Sequence, residues 1–239
     1  MPVPDTDSPQ PILVVHGTRS AEGVKTVARL SELVSRRIGP TRMAFVDVLG
    51  PSPSEALREI TCPALVIPAF LASGYHVRRD IPEHIAASGH SRVLLCDNLG
   101  PDPVLAEVMV DRLRACGWRR GDAVVMAAAG SSDPHAVADL SVAAGYLGAM
   151  LGDEVAVGYA ATGTPRVTDV VDAVRRARGG RVFLATYLLA PGLFHSRLQQ
   201  CGADGVAAPL GADPRIAARI AERAAAAQHA TITPVGALV

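Results

Sequence analysis

The stretch Ile12-Leu-Val-Val-His-Gly-Thr-Arg19 sets the plan of the chain, because four apolar residues lead directly into a histidine and a glycine. Four consecutive aliphatic side chains favour a strand that is buried on both faces. The segment Glu22–Ile38 that follows has the apolar spacing of an amphipathic helix. A buried strand that turns through a glycine into a helix begins a βαβ unit, so the sequence predicts an α/β fold.

Strand-like and helix-like segments keep alternating along the first half of the chain. Further strands are predicted at Met43–Val48, Ala64–Pro68 and Arg92–Cys96, and further helices at Ser54–Ile60, Pro82–Ala87 and Val104–Cys116. This alternation implies parallel strands joined by helical crossovers. The composition agrees, because 49% of the residues are hydrophobic but only 4% are aromatic, so small and branched aliphatic side chains must build the core.

The same order of segments then starts again in the second half. Strands are predicted at Ala123–Ala127, Val155–Tyr159 and Val182–Thr186, and helices at Ala136–Leu151, Val167–Ala177 and Ala212–Ala226. Short motifs recur in the same order: Gly17 matches Gly130, Val66–Leu71 matches Phe183–Leu188, Gly74 matches Gly192, and Leu99-Gly-Pro-Asp-Pro103 matches Leu210-Gly-Ala-Asp-Pro214. Four ordered matches predict the duplication of one α/β domain.

From this repeat we expect two tandem domains, each a parallel sheet flanked by helices, related by a pseudo-twofold axis. The first domain is predicted at 11–118 and the second at 123–228, with Arg119-Arg-Gly-Asp122 as the hinge between them. Residues 1–10 are predicted to form a disordered tail, and 229–239 a second tail. Ligands of parallel α/β sheets bind beyond the carboxyl ends of the strands. Two such sets of loops that face each other could enclose a large, flat ligand.

Charge and cysteine content argue against several classes of protein. The chain has 23 basic and 23 acidic residues, so its charge gives no basis for binding nucleic acid or an anionic membrane. The four cysteines form no C-x-x-C pair, which argues against a structural zinc site, an iron–sulfur cluster or a disulfide framework. The first ten residues do not have the pattern of a signal peptide, and no apolar run is long enough to span a bilayer. We expect a cytoplasmic monomer without an organic cofactor.

Two histidines and an aspartate are predicted to lie at the carboxyl edge of the first sheet. His16 follows the first strand, Asp47 closes the second, and His76 lies in the loop after the third. Each residue alone has a simpler structural role, as a loop hydrogen bond or a turn former. Together, two imidazoles and one carboxylate make an open site for a first-row divalent metal. Asp80 is interpreted mainly as the N-cap of the next helix, which begins near Pro82, with a secondary role in orienting His76.

Basic side chains follow the same loops. Arg19, Arg78 and Arg79 are either solvated surface charges or partners for the carboxylates of a substrate, whose geometry the guanidinium fork matches. His195, in the second half, could also bind a substrate carboxylate and is predicted to lie on the first turn of a helix that starts near 191–192.

The second half lacks the two histidines of the first. Ala129 stands at the position of His16, and Phe194 stands at the position of His76. We therefore expect one active half and one degenerate half, with the metal ligands contributed by the first.

The motifs at these loops resemble a known family. Two loops resemble the paired signatures of the sirohydrochlorin and cobalt chelatases of siroheme and cobalamin synthesis. The first is His16-Gly-Thr-Arg19, and the second is Phe70-Leu-Ala-Ser-Gly-Tyr-His76, followed by Asp80-Ile-Pro82. Gly130-Ser-Ser-Asp-Pro134 resembles the second-half signature of that family, which makes Ser131 a candidate for binding the substrate. The resemblance covers nearly the whole chain after the N-terminal segment. It implies two chelatase-like domains and a metal held by His16 and His76.

The activity that the resemblance implies is the insertion of Co²⁺ or Fe²⁺ into sirohydrochlorin, with loss of two pyrrole protons. The metal would be a substrate, and His16 or His76 would present it or accept a proton. Asp47 stands where family members often have Glu, and its shorter side chain reaches less far. Two alternatives remain open: a ferrochelatase that acts on a less carboxylated porphyrin, and a non-catalytic carrier of a metal or tetrapyrrole.

Overall fold

The computed structural model of the protein describes residues 8–232, which form two parallel four-stranded sheets. The first sheet contains β1 (Gln10–Val15), β2 (Arg42–Phe45), β3 (Ala64–Pro68) and β4 (Val93–Leu95) in the order β2-β1-β3-β4. The second contains β5 (Ala123–Ala128), β6 (Ala156–Tyr159), β7 (Val182–Tyr187) and β8 (Gly205–Val206) in the order β6-β5-β7-β8. The second sheet repeats the strand order of the first, which confirms the predicted fold of two similar α/β halves.

Helices connect the successive strands in both halves. The first half contains α1 (Ala21–Ile38), α2 (Pro53–Arg58), α3 (Ile81–Ser88) and α4 (Pro103–Ala115), with a π-helical turn at His76–Asp80 that runs directly into α3. The second half contains α5 (Pro134–Leu151), α6 (Val167–Arg178), α7 (Leu193–Leu198) and α8 (Pro214–Ile232). Within this described part of the chain, none of the helices has the length and apolarity needed to cross a bilayer.

The ends of the described region differ from the predicted tails. β1 already begins at Gln10, and α8 continues to Ile232, past the predicted start of the second tail at residue 229. Residues 1–7 and 233–239 of the predicted tails lie outside the described residues.

Side-chain caps fix where several of the helices begin. The Ser20 hydroxyl accepts a hydrogen bond from the Gly23 N–H at the start of α1. Ser52 and Glu55 form a reciprocal capping box at the start of α2. Asp102 caps α4, which has a proline in its first turn. Each of these oxygens satisfies a backbone N–H that has no partner inside the helix.

The strand register corrects one detail of the alignment between the halves. Val66 and Leu184 hold the same place, because each pairs with the equivalent residue of its central strand, Ile12 or Val125. The sequence match of Val66 with Phe183 was therefore one residue out of register. A shift of one residue moves a strand side chain to the other face of its sheet. Val66 indeed faces an outer core, whereas Phe183 faces the core between the sheets.

One central core is shared by the two halves. The inner faces of both sheets contribute to it, with Leu13 and Leu65 from the first and Met126 and Phe183 from the second, and α1, α4, α5 and α8 fill the space between. Two smaller cores lie on the outer faces. One is covered by α2 and α3, and the other by α6 and α7.

The last helix of each half packs on the other half. α4 lies against β7 and α5 of the second half, and α8 lies against β3, β4 and α1 of the first. Matching ion pairs accompany this exchange. Arg223 on α8 lies 3.6 Å from Asp102 at the start of α4, and Arg112 on α4 lies 3.9 Å from Asp213 at the start of α8. Because Arg219 also donates to Asp102 at 2.6 Å, the exchanged helices are held by charge as well as by apolar packing.

We expect Asp213→Asn to lower the free energy of unfolding at pH 7 by about 1–3 kcal/mol, measured by denaturant titration. Asp213 is buried, and the hydrogen bonds from Arg215, with the nearby charge of Arg112, hold the pKa of its carboxyl below its usual value of 3.8. A pKa that is lower in the folded state stabilises the fold above the unfolded value, and this stabilisation is lost as the pH falls through the folded value. The difference between variant and wild type should therefore shrink below pH 3.8.

Glu22→Gln is the matched control, because Glu22 lies 3.8 Å from Lys25 on an exposed helical surface. Exposed pairs of this kind add little to stability, so this variant should unfold like the wild type. An Asp213→Asn defect that persists unchanged in acid would contradict the assigned role of the Asp213 charge.

Candidate active site

Two histidine rings meet at the carboxyl edge of the first sheet. His16 follows β1 directly, and His76 opens the π-helical turn after β3. The ring centroids lie 4.9 Å apart, and the planes of the rings are nearly perpendicular at 86°. Because β1 and β3 are adjacent parallel strands, their carboxyl ends deliver both side chains to the same edge.

The ring of His16 is oriented by the turn that follows it. Its Nδ1 lies 2.9 Å from the carbonyl oxygen of Gly17. A carbonyl only accepts, so Nδ1 carries the proton and the Nε2 lone pair of the neutral ring is left free. Gly17 itself is required by close packing, since a Cβ at this position would overlap the carbonyl oxygen of Asp47. The turn therefore holds His16 at the surface, with a ring nitrogen available to a ligand.

The ring of His76 is oriented by Asp80. Its Nδ1 lies 2.5 Å from Oδ2 of Asp80, and because a carboxylate accepts, Nδ1 is the donor, which leaves the lone pair of the neutral ring on Nε2. The prediction of Asp80 as an N-cap was wrong, because its backbone is already helical (φ −62°, ψ −45°) and its side chain makes no cap hydrogen bond. The π-helical turn continues without a break into α3, so the Asp80 carboxylate does not cap a helix and instead pairs with His76. π-Helical turns are rare in proteins overall, and those that occur are often found at functional sites.

Asp47 does not join the two histidines. β2 ends at Phe45, before the predicted strand end, and the chain then turns at Val48, whose φ is 69°. Oδ1 of Asp47 accepts a hydrogen bond from the Val48 N–H at 2.7 Å, so the carboxylate supports this turn. Among residues 8–232, no group of three or more His, Cys, Asp or Glu side chains is arranged so that it could hold a metal ion. The structure therefore does not assemble the expected set of two histidines and Asp47.

The candidate substrate-binding arginines fall into two groups. Arg19 and Arg78 are exposed, and within the described chain their guanidinium groups make no hydrogen bond or ion pair. Arg79 instead donates from Nε to Glu83 at 3.0 Å on the surface of α3. Arg19 and Arg78, which lie within three residues of the two histidines in sequence, are thus the cations that remain free for an anionic ligand.

The two candidates from the second half have contacts within that half. The hydroxyl of Ser131 accepts a hydrogen bond from the Asp133 N–H at 3.0 Å and shapes the turn before α5. His195 lies on the first turn of α7, where its Nε2 is 3.3 Å from the amide nitrogen of Gln199. Burial lowers the pKa of His195, and so favours its neutral form.

Loops of the two halves meet beside the histidine pair, and they do so twice. A Cβ on Gly192 would lie 3.2 Å from the hydroxyl of Thr18, and a Cβ on Gly74 would lie 3.7 Å from the hydroxyl of Ser131. Thr18 and Ser131 are equivalent in the repeat, as are Gly74 and Gly192. The same contact is therefore made on both sides, as a pseudo-twofold relation requires. The loops after β1 and β3 in one half face those after β7 and β5 in the other.

The second half also holds the loop that carries His76. The Ser73 N–H donates to Asp139 of α5 at 2.7 Å, and the buried hydroxyl of Tyr187 donates to the carbonyl of Leu71 at 2.9 Å. These two bonds fix the segment between β3 and the π-helical turn against the other half.

Sequence reasoning missed a set of apolar side chains in the segments that follow β2, β3 and β7. Five large apolar residues are exposed there: Val48, Leu49, Tyr75, Leu193 and Phe194. The available signal was their position, because all five lie between the end of a strand and the first turn of the next helix, where polar turn residues are more usual.

Comparisons with known proteins agree with the duplicated fold. The family model of CbiX matches residues 10–116 and again 123–227. The sirohydrochlorin cobaltochelatase of Saccharolobus islandicus is 28% identical over 116 residues, which cover 43% of this chain and 91% of that protein. That relative therefore corresponds in length to one half of this chain.

Two solved structures match both halves together. SirB from Bacillus subtilis with Fe³⁺ has a TM-score of 0.76 at 23% identity, over 92% of this chain and 96% of its own. The sirohydrochlorin chelatase SirB from Bacillus subtilis subspecies spizizenii, in complex with cobalt, has a TM-score of 0.75 at 21% identity, over 93% of this chain and 96% of its own. Since the two family matches span nearly all of the described residues, the chain belongs to the CbiX family and carries the CbiX domain twice.

Proposed function

We propose that this protein is a tetrapyrrole metal chelatase that inserts Co²⁺ or Fe²⁺ into sirohydrochlorin. The observation that carries the proposal is the histidine pair, whose rings lie 4.9 Å apart where the loops of two CbiX repeats meet. The relatives support it, since one is named a sirohydrochlorin cobaltochelatase and the matched SirB structures contain Fe³⁺ or cobalt. The metal is a substrate here, which the site must hold and then release.

A site of two neutral imidazoles suits a metal that has to leave. Imidazole nitrogen is a good ligand for first-row divalent metals. Two protein ligands leave the remaining coordination positions to water, which the nitrogens of the macrocycle can replace one after another. A site with three or four protein ligands would compete more strongly for the ion. His16 and His76 are thus proposed to present the metal through their Nε2 atoms.

Charge balance requires two protons to leave as one dication enters the macrocycle. The Nε2 lone pairs of His16 and His76 become free as the metal is handed over, so the same nitrogens can accept protons from the pyrroles. His16 is exposed, so a proton taken up there can pass to solvent. The two histidines are therefore proposed to act first as ligands and then as bases.

The free guanidinium groups of Arg19 and Arg78 favour a substrate that carries several carboxylates. A guanidinium binds a carboxylate through two parallel hydrogen bonds. This supports sirohydrochlorin over a less carboxylated porphyrin. The Arg79 guanidinium is paired with Glu83 and is assigned no role in this step.

Replacing His16 or His76 by Ala should reduce metal insertion by at least about 100-fold, because each change removes a ligand and a proton acceptor. His195→Ala should retain turnover, with at most a raised KM, because the contacts of His195 with Gln199 and with the backbone of Ala207 lie within the second half. The assay follows the absorbance change of metal-free sirohydrochlorin on addition of Co²⁺ or Fe²⁺ without oxygen, and circular dichroism checks the fold of each variant.

The same assay discriminates the remaining functions. An inactive His195→Ala variant beside an active His16→Ala variant would mean that the catalytic half had been assigned wrongly. A wild-type protein that binds sirohydrochlorin without metallating it would be a carrier. Faster insertion into a porphyrin than into sirohydrochlorin would identify a ferrochelatase.

Asp80→Asn should weaken Co²⁺ binding by about 10–100-fold, because the partner that fixes the ring and tautomer of His76 is changed. Isothermal titration calorimetry with Co²⁺ measures this affinity. Glu83→Gln is the matched control, since Glu83 lies on the same helix but pairs with Arg79 at the surface. Equal Co²⁺ affinities of Asp80→Asn, Glu83→Gln and the wild type would remove Asp80 from the site.

A further inference from the structure

In the described part of the chain, most of the exposed large apolar side chains lie in segments that meet near the histidine pair. Within residues 8–232, eight large hydrophobic side chains are exposed, and five of them lie in the segments that follow β2, β3 and β7, with Leu193 and Phe194 on the first turn of α7. Tyr75 is 59% exposed, Leu193 65% and Phe194 36%. Single exposed apolar residues are ordinary on a protein surface, but a concentration of them in a cleft is typical of a ligand-binding site.

Contacts place the segments that carry these side chains beside the two histidines. In the first half, the ring of Tyr75 lies 6.4 Å from the ring of His76. In the second half, Leu193 and Phe194 follow Gly192, at which a Cβ would lie 3.2 Å from the hydroxyl of Thr18, two residues after His16. The first turn of α7 therefore begins beside the loop that carries His16.

The repeat shows which residues of the first half are equivalent to Leu193 and Phe194. Gly74 and Gly192 are equivalent, so Tyr75 corresponds to Leu193 and His76 corresponds to Phe194. The position that carries a histidine in the first half thus carries an exposed aromatic ring in the second. A phenyl ring cannot bind the metal ion as an imidazole does, but it can pack against the face of a conjugated ring system.

We propose that Leu193 and Phe194 form an apolar platform that binds the flat face of the macrocycle, so that the second half holds the organic substrate while the first presents the metal. This inference rests on the proposed function for the identity of the macrocycle. Tyr75 completes the apolar surface from the first half, and Arg19 and Arg78 remain at its edge for the carboxylates. Each half thereby contributes a different part of one site: the first half contributes nitrogen ligands for the metal, and the second contributes an apolar surface for the macrocycle.

The test measures binding of metal-free sirohydrochlorin by absorbance and by quenching of its fluorescence, with no metal present. Phe194→Ala and Leu193→Ala should each raise the Kd by about 10-fold, as expected for the loss of one large apolar contact. Phe194→Leu should retain most of the affinity. Co²⁺ binding in the absence of the macrocycle should be unchanged in all three variants, because the histidine pair is intact.

Met150→Ala is the matched control, because Met150 is 41% exposed on α5, away from these loops. This variant should bind sirohydrochlorin like the wild type. Wild-type affinity in both Phe194→Ala and Leu193→Ala would overturn the platform even if the enzyme metallates normally. Binding that depends on Phe194 in a protein that inserts no metal would instead retain the platform and overturn only the proposed function. A wild type that does not bind sirohydrochlorin would overturn both.

Discussion

The exchange of α4 and α8 between the halves is the constraint on which the rest of this structure depends. The inner face of the first sheet carries Leu65 and Ile67, both fully buried, and α8 from the second half covers it. The second sheet is covered in the same way by α4 from the first half. Since each sheet is completed by a helix of the other half, packing and not a flexible linker fixes the distance and angle between the halves.

The fixed packing of the two halves gives the second half a role in positioning the histidine pair of the first. Strand order alone brings His16 and His76 to one edge, because β1 and β3 are neighbours. The loop before His76 is then tied to the second half through Asp139 and Tyr187. The second half therefore positions His76, and in our proposal it also supplies an apolar surface, although it carries Ala129 and Phe194 where the first half has its two histidines.

The features that depend on local patterns could be predicted from the sequence, and those that depend on long-range packing could not. Apolar runs, glycine turns and ordered repeats are local, and they predicted the two α/β halves and placed the histidines at strand ends. The N-cap prediction for Asp80 was wrong because it relied on the spacing of Asp80 and Glu83 alone. That spacing is the same whether α3 starts at a capped residue or continues from a π-helical turn. Asp47 was misplaced because the strand was extended to Val48, where the backbone turns through positive φ. Nothing in the local sequence of α4 or α8 indicates which sheet each will cover.

The most direct test of the central claim, that His16 and His76 hold the metal substrate together, is cobalt K-edge X-ray absorption on the protein loaded with one equivalent of Co²⁺. If both histidines bind the ion, the wild type shows scattering from two imidazole rings with nitrogen at about 2.0–2.1 Å, and a variant with either histidine replaced by alanine shows scattering from one ring. A spectrum with oxygen ligands alone, or one that stays unchanged when both histidines are replaced, would contradict it.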